Sequence, residues 1–130
     1  MGRADAGAHT EENRMILETA VLQIKPGQAV AFEVAFAQAQ QIISAASGYL
    51  GHELQRCLED DHQYLLLVRW RTLEDHTQGF RGSPGYQQWR MLLHHFYDPF
   101  PTVLYHAAVL GTLLGAAPVP ASIHAVQSPF

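Results

Sequence analysis

Tyr64-Leu65-Leu66-Leu67-Val68-Arg69-Trp70 reads as a β-strand with two apolar faces: Tyr64, Leu66, Val68 and Trp70 share one side, Leu65 and Leu67 the other. Such a strand is covered on both sides in a folded protein. Just upstream, Tyr49 to Glu59 alternates, with Leu50, Leu54 and Leu58 on one face and His52 and Arg56 between them. Asp60-Asp61-His62 is a short polar turn between the two segments, which predicts a β-hairpin.

Before the hairpin, Met15 to Ile24 is rich in branched residues and reads as a strand, stopped by Lys25-Pro26-Gly27. From Gln28 to Ala45 the period changes. Phe32, Phe36, Ala39 and Ile43 recur at helical spacing while Glu33, Gln38, Gln40 and Gln41 take other faces, and Ser47-Gly48 ends the helix. After the hairpin, Thr72 to Asp75 fits a capping box with Asp in the place of Glu or Gln. Leu73, His76 and Phe80 then share one face of a short helix, which Arg81-Gly82 breaks. Ser83-Pro84 supplies a cap and a first-turn proline for another helix, with Tyr86, Trp89, Leu93 and Phe96 as its stripe. Asp98 to Pro101 terminates it, and Thr102 to Val109 reads as a last strand.

The order β-α-β-β-α-β predicts an α+β, ferredoxin-like fold with an antiparallel sheet. Its helices cover one face of YLLLV, and a second subunit is the expected cover for the other. The domain is expected over residues 15–109, after a polar leader, 1–14, and before an uncharged, Ala/Gly/Pro-rich tail, 110–130.

Composition narrows the function classes. Of 130 residues 48% are apolar and 15% charged, against a usual ~25% charged, so the chain has a core to build and little charge to display. No charged residue follows Asp98. A net charge of -4 with one lysine, Lys25, leaves no basic footprint for nucleic acid. One cysteine, Cys57, rules out an internal disulfide framework and suits a reducing, cytoplasmic location. The apolar run Ala107 to Ala117 is well short of the ~20 residues of a membrane span. No His-Glu-x-x-His or Cys-x-x-Cys occurs, and the adjacent His94 and His95 diverge on a helix, so no metal site is expected.

Several segments carry a family likeness: Lys25-Pro26-Gly27-Gln28 after the first strand, Gly48-Tyr49 before the second, and Leu65 to Trp70 running into Thr72 to His76. Phe80 to Pro84 before Tyr86, and His95 to Pro101, continue it. In this order and spacing the stretch Ile16 to Tyr105 resembles the antibiotic biosynthesis monooxygenase domain family, of the dimeric α+β barrel group. The resemblance implies a homodimer, two sheets packed face to face, with a ligand pocket between each sheet and its own helices. It also implies either cofactor-independent oxidation of a quinol or polycyclic phenol by dioxygen, or haem degradation, or a non-catalytic barrel that binds a small ligand or serves a stress response. Haem-degrading relatives place an asparagine on the first strand and a histidine on the last helix. Here Ala20 and Arg90 fall near those positions, and His94 reaches the second only with a gap.

An oxygenase without metal or flavin needs a base, a donor for the substrate anion, and apolar walls. His76 is the candidate acid/base, or else a buried structural histidine. Trp70 stands where the family commonly has tryptophan and is either a pocket wall or a core aromatic. His52 is a candidate anion partner; with Arg56 it marks a cavity, an interface or a solvated edge. Tyr64 and Tyr86 are candidate hydrogen-bond partners for a quinol oxygen as well as members of the core pattern. Phe80 completes the candidate substrate-binding set, and no cofactor is expected.

Overall fold

The computed structural model describes residues 15–111. The polar leader, and the tail from residue 112 onward, lie outside the described residues. The elements are β1 (Ile16–Gln23), α1 (Ala29–Ile43), β2 (Tyr49–Arg56), β3 (Gln63–Trp70), a π-helical segment (Asp75–Phe80), α2 (Pro84–Leu93), a 3-10 turn (His94–Phe96) and β4 (Val103–His106). The strands form one antiparallel sheet in the order β2-β3-β1-β4, the ferredoxin-like arrangement.

Local chemistry sets these boundaries. Gly27 takes a left-handed φ of 77° and turns the chain from β1 into α1. Phe32, Phe36, Ala39 and Ile43 are the buried residues of α1, the four that its period selects. Ser83 caps α2, its Oγ accepting the Tyr86 N–H at 3.3 Å, with Pro84 in the first turn. Both helices lie on one face of the sheet. There Phe32, Phe36, Trp89 and Leu93 meet Leu22, Tyr64, Leu66 and Val68 in a single core.

The strand that decides the fold alternates as expected. Tyr64, Leu66, Val68 and Trp70 are buried under the helices, and Leu65, Leu67 and Arg69 are half-buried on the opposite face. That second face also carries Val21, 47% exposed, and Leu104, 54% exposed, and none of the described helices covers it.

Two details differ from the sequence pattern. Leu50, Leu54 and Leu58 do not share a face. A bulge between Tyr49 and Gly51 turns Leu50 to the open side of the sheet, and Leu58 lies beyond the strand end, exposed in the hairpin loop. Leu73 is exposed as well: it opens the helical segment on the outer side, and from Asp75 the winding is that of a π-helix, which turns His76 and Phe80 inward. No helix among the described residues is long and apolar enough to cross a membrane.

Candidate functional site

The π-helical segment is fastened at its start by a reciprocal pair. The Asp75 N–H donates to Thr72 Oγ1 and the Thr72 N–H donates to Asp75 Oδ2, both at 3.2 Å. Arg71 adds its Nε at 3.3 Å from the same carboxylate. One turn on, His76 and Phe80 drop into the interior at 4% and 3% exposure.

There His76 meets three residues that far-separated parts of the chain deliver. Glu18 of β1 is 5% exposed and sits across from Tyr105 of β4 in the sheet register. Trp70, at the end of β3 and opposite Ile16, donates its Nε1–H to Glu18 Oε1 at 2.8 Å. His76 Nε2 lies 3.5 Å from that same oxygen, and His76 Nδ1 is hydrogen-bonded to the Tyr105 hydroxyl at 2.7 Å. Burial dominates both titrations. It raises the Glu18 carboxyl, against the Trp70 hydrogen bond and the Arg81 charge. It pushes His76 down to about 4, helped by the positive charge of Arg81, so the imidazole is neutral at pH 7.

The His76 shift has a consequence for stability. The unfolded chain takes up the imidazole proton near 6.5 and the folded chain only near 4, so between them the unfolded state binds more protons. Stability therefore falls as pH drops, by about 2 kcal/mol at pH 5 from this group alone. Glu18 works in the opposite sense: folding holds its proton longer, a contribution lost as pH rises. Urea midpoints at pH 7 and pH 5 should show a drop that shrinks in His76→Gln. An equal drop in that variant would clear His76 of the effect.

Glu18 and His76 line a cavity of about 70 Å³ between the sheet and α2. Its walls are apolar, Leu22, Leu66 and Trp89 among them, and its other polar groups are Arg81, Tyr86, His94 and Tyr97. Phe100, 61% exposed, stands at its rim. An apolar cavity of roughly 150 Å³ takes up benzene. The space here holds dioxygen or a few waters and is smaller than a single aromatic ring needs. A porphyrin does not fit it. A larger hollow, about 330 Å³ beside β1 and β4, is lined by residues such as Val21, Phe100 and Leu104 and has no titratable side chain.

The residues that the sequence singles out fall into two groups. His76 and Tyr86 line the cavity. Trp70 and Phe80 stand behind it, with Trp70 fully buried and Phe80 stacked on His76 at 6.2 Å between ring centroids. Trp70 is thus a hydrogen-bond donor to Glu18 rather than a wall. His52, Arg56 and Tyr64 are elsewhere, in an open groove of about 460 Å³ between α1 and β2. The rings of Tyr49 and Trp70 separate His52 from His76. His52 is held by Tyr49 through Nδ1 and by Gln40 Oε1 at 2.9 Å through Nε2. The Tyr64 hydroxyl donates to Glu33, and burial together with that carboxylate pushes its pKa up to about 12.

Sequence reasoning passed over Glu18 and Tyr105. The signal for Glu18 was present: it alternates with Ala20 and Leu22, so a carboxylate interrupts the inward face of a strand. Tyr105 alternates with Val103 in the same way. As for metals, among the described residues one trio, Asp60, Asp61 and His62 in the hairpin turn, brings candidate ligand atoms within 4.8 Å, and it is largely exposed.

With this geometry in hand, comparison with known proteins gives a consistent picture. The profile of the antibiotic biosynthesis monooxygenase family matches residues 15–91. The uncharacterised protein YczJ of Bacillus subtilis is 60% identical over 89 residues, covering 68% of this chain and 94% of its own. A crystal structure from Bordetella bronchiseptica, named for the same monooxygenases, superposes with a TM-score of 0.71 at 35% identity, over 75% of this chain and 99% of that one. SnoaB of Streptomyces nogalater, a cofactor-independent oxygenase, shares the fold with a TM-score of 0.60 at 17% identity, over 78% and 98% of the two chains.

Proposed function

The chain belongs to the antibiotic biosynthesis monooxygenase family, and on that footing we propose that it oxidises a small electron-rich phenol or hydroquinone with dioxygen, as a cofactor-independent homodimer. The observation that carries this reading is the convergence of Glu18 and His76, two groups that handle protons, on one small apolar cavity. Removing the phenolic proton leaves an anion that reduces dioxygen directly, and a dry enclosure keeps that charge from being dispersed into water. In the overall reaction an aromatic C–H carbon of the phenol becomes a carbonyl and the ring ends as a quinone. One atom of dioxygen enters that carbonyl, and the other leaves as water with that carbon's hydrogen and the phenolic hydrogen. The substrate supplies all four electrons. A single ring calls for much less widening of the cavity than a polycyclic one. The apolar open face of the sheet, with Leu17, Leu65 and Leu67, supports face-to-face pairing of two chains. The lone Cys57 supports a reducing, cytoplasmic location.

An oxygen electrode with a panel of hydroquinones and single-ring phenols tests the proposal. Wild type should consume oxygen and His76→Ala should lose roughly 10²-fold in rate. Sedimentation of the same preparation should give twice the mass of one chain. The smallness of the cavity also favours a second reading, a non-catalytic barrel for a small apolar ligand. Absence of oxygen uptake across the panel would establish that reading over the first.

A further inference from the structure

We infer that Glu18 is the general base of this site, and that Tyr105 is a positioning residue that fixes the tautomer of His76 so that the imidazole donates a hydrogen bond to the substrate oxygen. The inference rests on the phenol-oxidising reading above and assigns the roles within it.

Glu18 Oε1 already accepts the Trp70 N–H at 2.8 Å. His76 Nε2 is 3.5 Å from that oxygen. A bare lone pair on Nε2 would face the lone pairs of a carboxylate, whereas an N–H there turns repulsion into attraction. Nδ1 then carries no proton, and its bond to Tyr105 at 2.7 Å is one in which the Tyr105 O–H donates.

The contact at 3.5 Å is longer than a good hydrogen bond, so the Nε2–H still has its best partner to gain. Nδ1 is turned to Tyr105, which is not part of the cavity wall, and Nε2 to Glu18, which is. Glu18 Oε2 has no hydrogen-bond partner among the described residues and is not sealed off from solvent, and Glu18 lines the cavity. A phenol needs one acceptor and one donor, and this edge of the cavity offers both.

In the step itself the phenolic O–H bond breaks and the proton passes to the Glu18 carboxylate. The electron pair stays on the phenolate oxygen, which the His76 Nε2–H then holds. Glu18 returns the proton to the departing water. The titratable groups around the pair suit an anion: Arg81, after the π-helical segment, lines the cavity, while Tyr86 of α2, His94 and Tyr97 beyond it, and Tyr105 of β4 add no fixed negative charge. A carboxylate raised by burial and a histidine that stays neutral are matched to these roles.

The test uses the full chain with Glu18→Gln and Tyr105→Phe, each of which keeps the side-chain shape; thermal melts confirm that both fold. Nitrogen-15 NMR of wild type should find His76 protonated at Nε2 and bare at Nδ1, and Tyr105→Phe should mix the two tautomers. The opposite tautomer in wild type overturns the proposal. 4-Nitrophenol, a phenol that dioxygen does not attack, should bind wild type as its coloured phenolate and bind Glu18→Gln uncoloured. Colour retained in Glu18→Gln moves the base elsewhere and also overturns it. With an oxidisable hydroquinone, Glu18→Gln should lose roughly 10²–10⁴-fold in kcat with little change in KM, and Tyr105→Phe about tenfold. The first two measurements need no turnover. Their expected results with no oxygen uptake would support the assigned roles while refuting the monooxygenase reading.

Discussion

Trp70→Ala is expected to cost about 3–5 kcal/mol in folding free energy, the range for deleting a fully buried large aromatic. Trp70 has no exposed surface, and its ring packs at 5.1 Å from His76, 5.9 Å from Phe80 and 6.2 Å from Tyr49 between centroids. Truncation opens a hole where three elements meet. It also strips Glu18 of its shortest donor, at 2.8 Å, leaving only the longer His76 contact, at a cost of about 1–3 kcal/mol. Small domains are stable by only about 5–15 kcal/mol, so the variant should sit near its unfolding threshold at room temperature. Trp70→Phe narrows the comparison, since it keeps a six-membered ring in the core while removing the N–H together with the rest of the pyrrole ring. Urea unfolding at constant m-value is the measurement. A loss below about 1 kcal/mol in Trp70→Ala would show that neither the packing nor the hydrogen bond matters as argued.

Gly48→Ala should have the second-largest effect, for a different reason. Gly48 takes a φ of +84°, and a Cβ there would lie 2.2 Å from the Asp75 carboxyl. The backbone conformation alone costs an alanine about 1–2 kcal/mol. To make room, Asp75 must withdraw from the Thr72 N–H and from Arg71, at a further cost of about 1–3 kcal/mol. The start of the π-helical segment then loosens, and with it the placing of His76. Gly27→Ala is the control, because Gly27 has a similar φ of +77° but nothing within 4 Å of its would-be Cβ. It should pay the backbone cost only. Equal losses in the two variants, read by thermal or urea unfolding, would mean that the collision with Asp75 is relieved at no cost.

How much of this was legible in the chain depends on the range of the interaction. The hairpin of β2 and β3, the four-residue stripe of α1 and the Ser83-Pro84 start of α2 follow from spacing and caps, which act within a few residues. The bulge that turns Leu50 outward does not, because one unpaired residue resets a strand's parity without any composition cue. Nor does the π-helical winding, where the capping box fixes the start but tertiary packing fixes the pitch. In the site, His76 was legible as an inward histidine. Trp70 reads as either a pocket wall or a core aromatic, and neither reading names its partner, since a tryptophan N–H aimed at a carboxylate 52 residues away leaves no local trace. His52 shares with the cavity the helix-covered side of the sheet, and nothing in the spacing says that the Tyr49–Trp70 pair stands between it and His76. Glu18 could have been found: strand alternation marks it as buried, and a buried carboxylate demands partners.

The central position of β1 bears on the order in which the molecule is made. Glu18 leaves the ribosome early, but its donor Trp70 follows 52 residues later, and Tyr105 comes 29 residues after His76. The helix α1 and the hairpin can close on local contacts, while each bond of the site requires a long loop to shut first. Until β4 docks along β1, a growing chain holds Glu18, Trp70 and His76 in a half-built interior without the Tyr105 hydroxyl. The cluster is therefore the last feature this chain completes, and a copy interrupted before β4 has much of the architecture but an unfinished site.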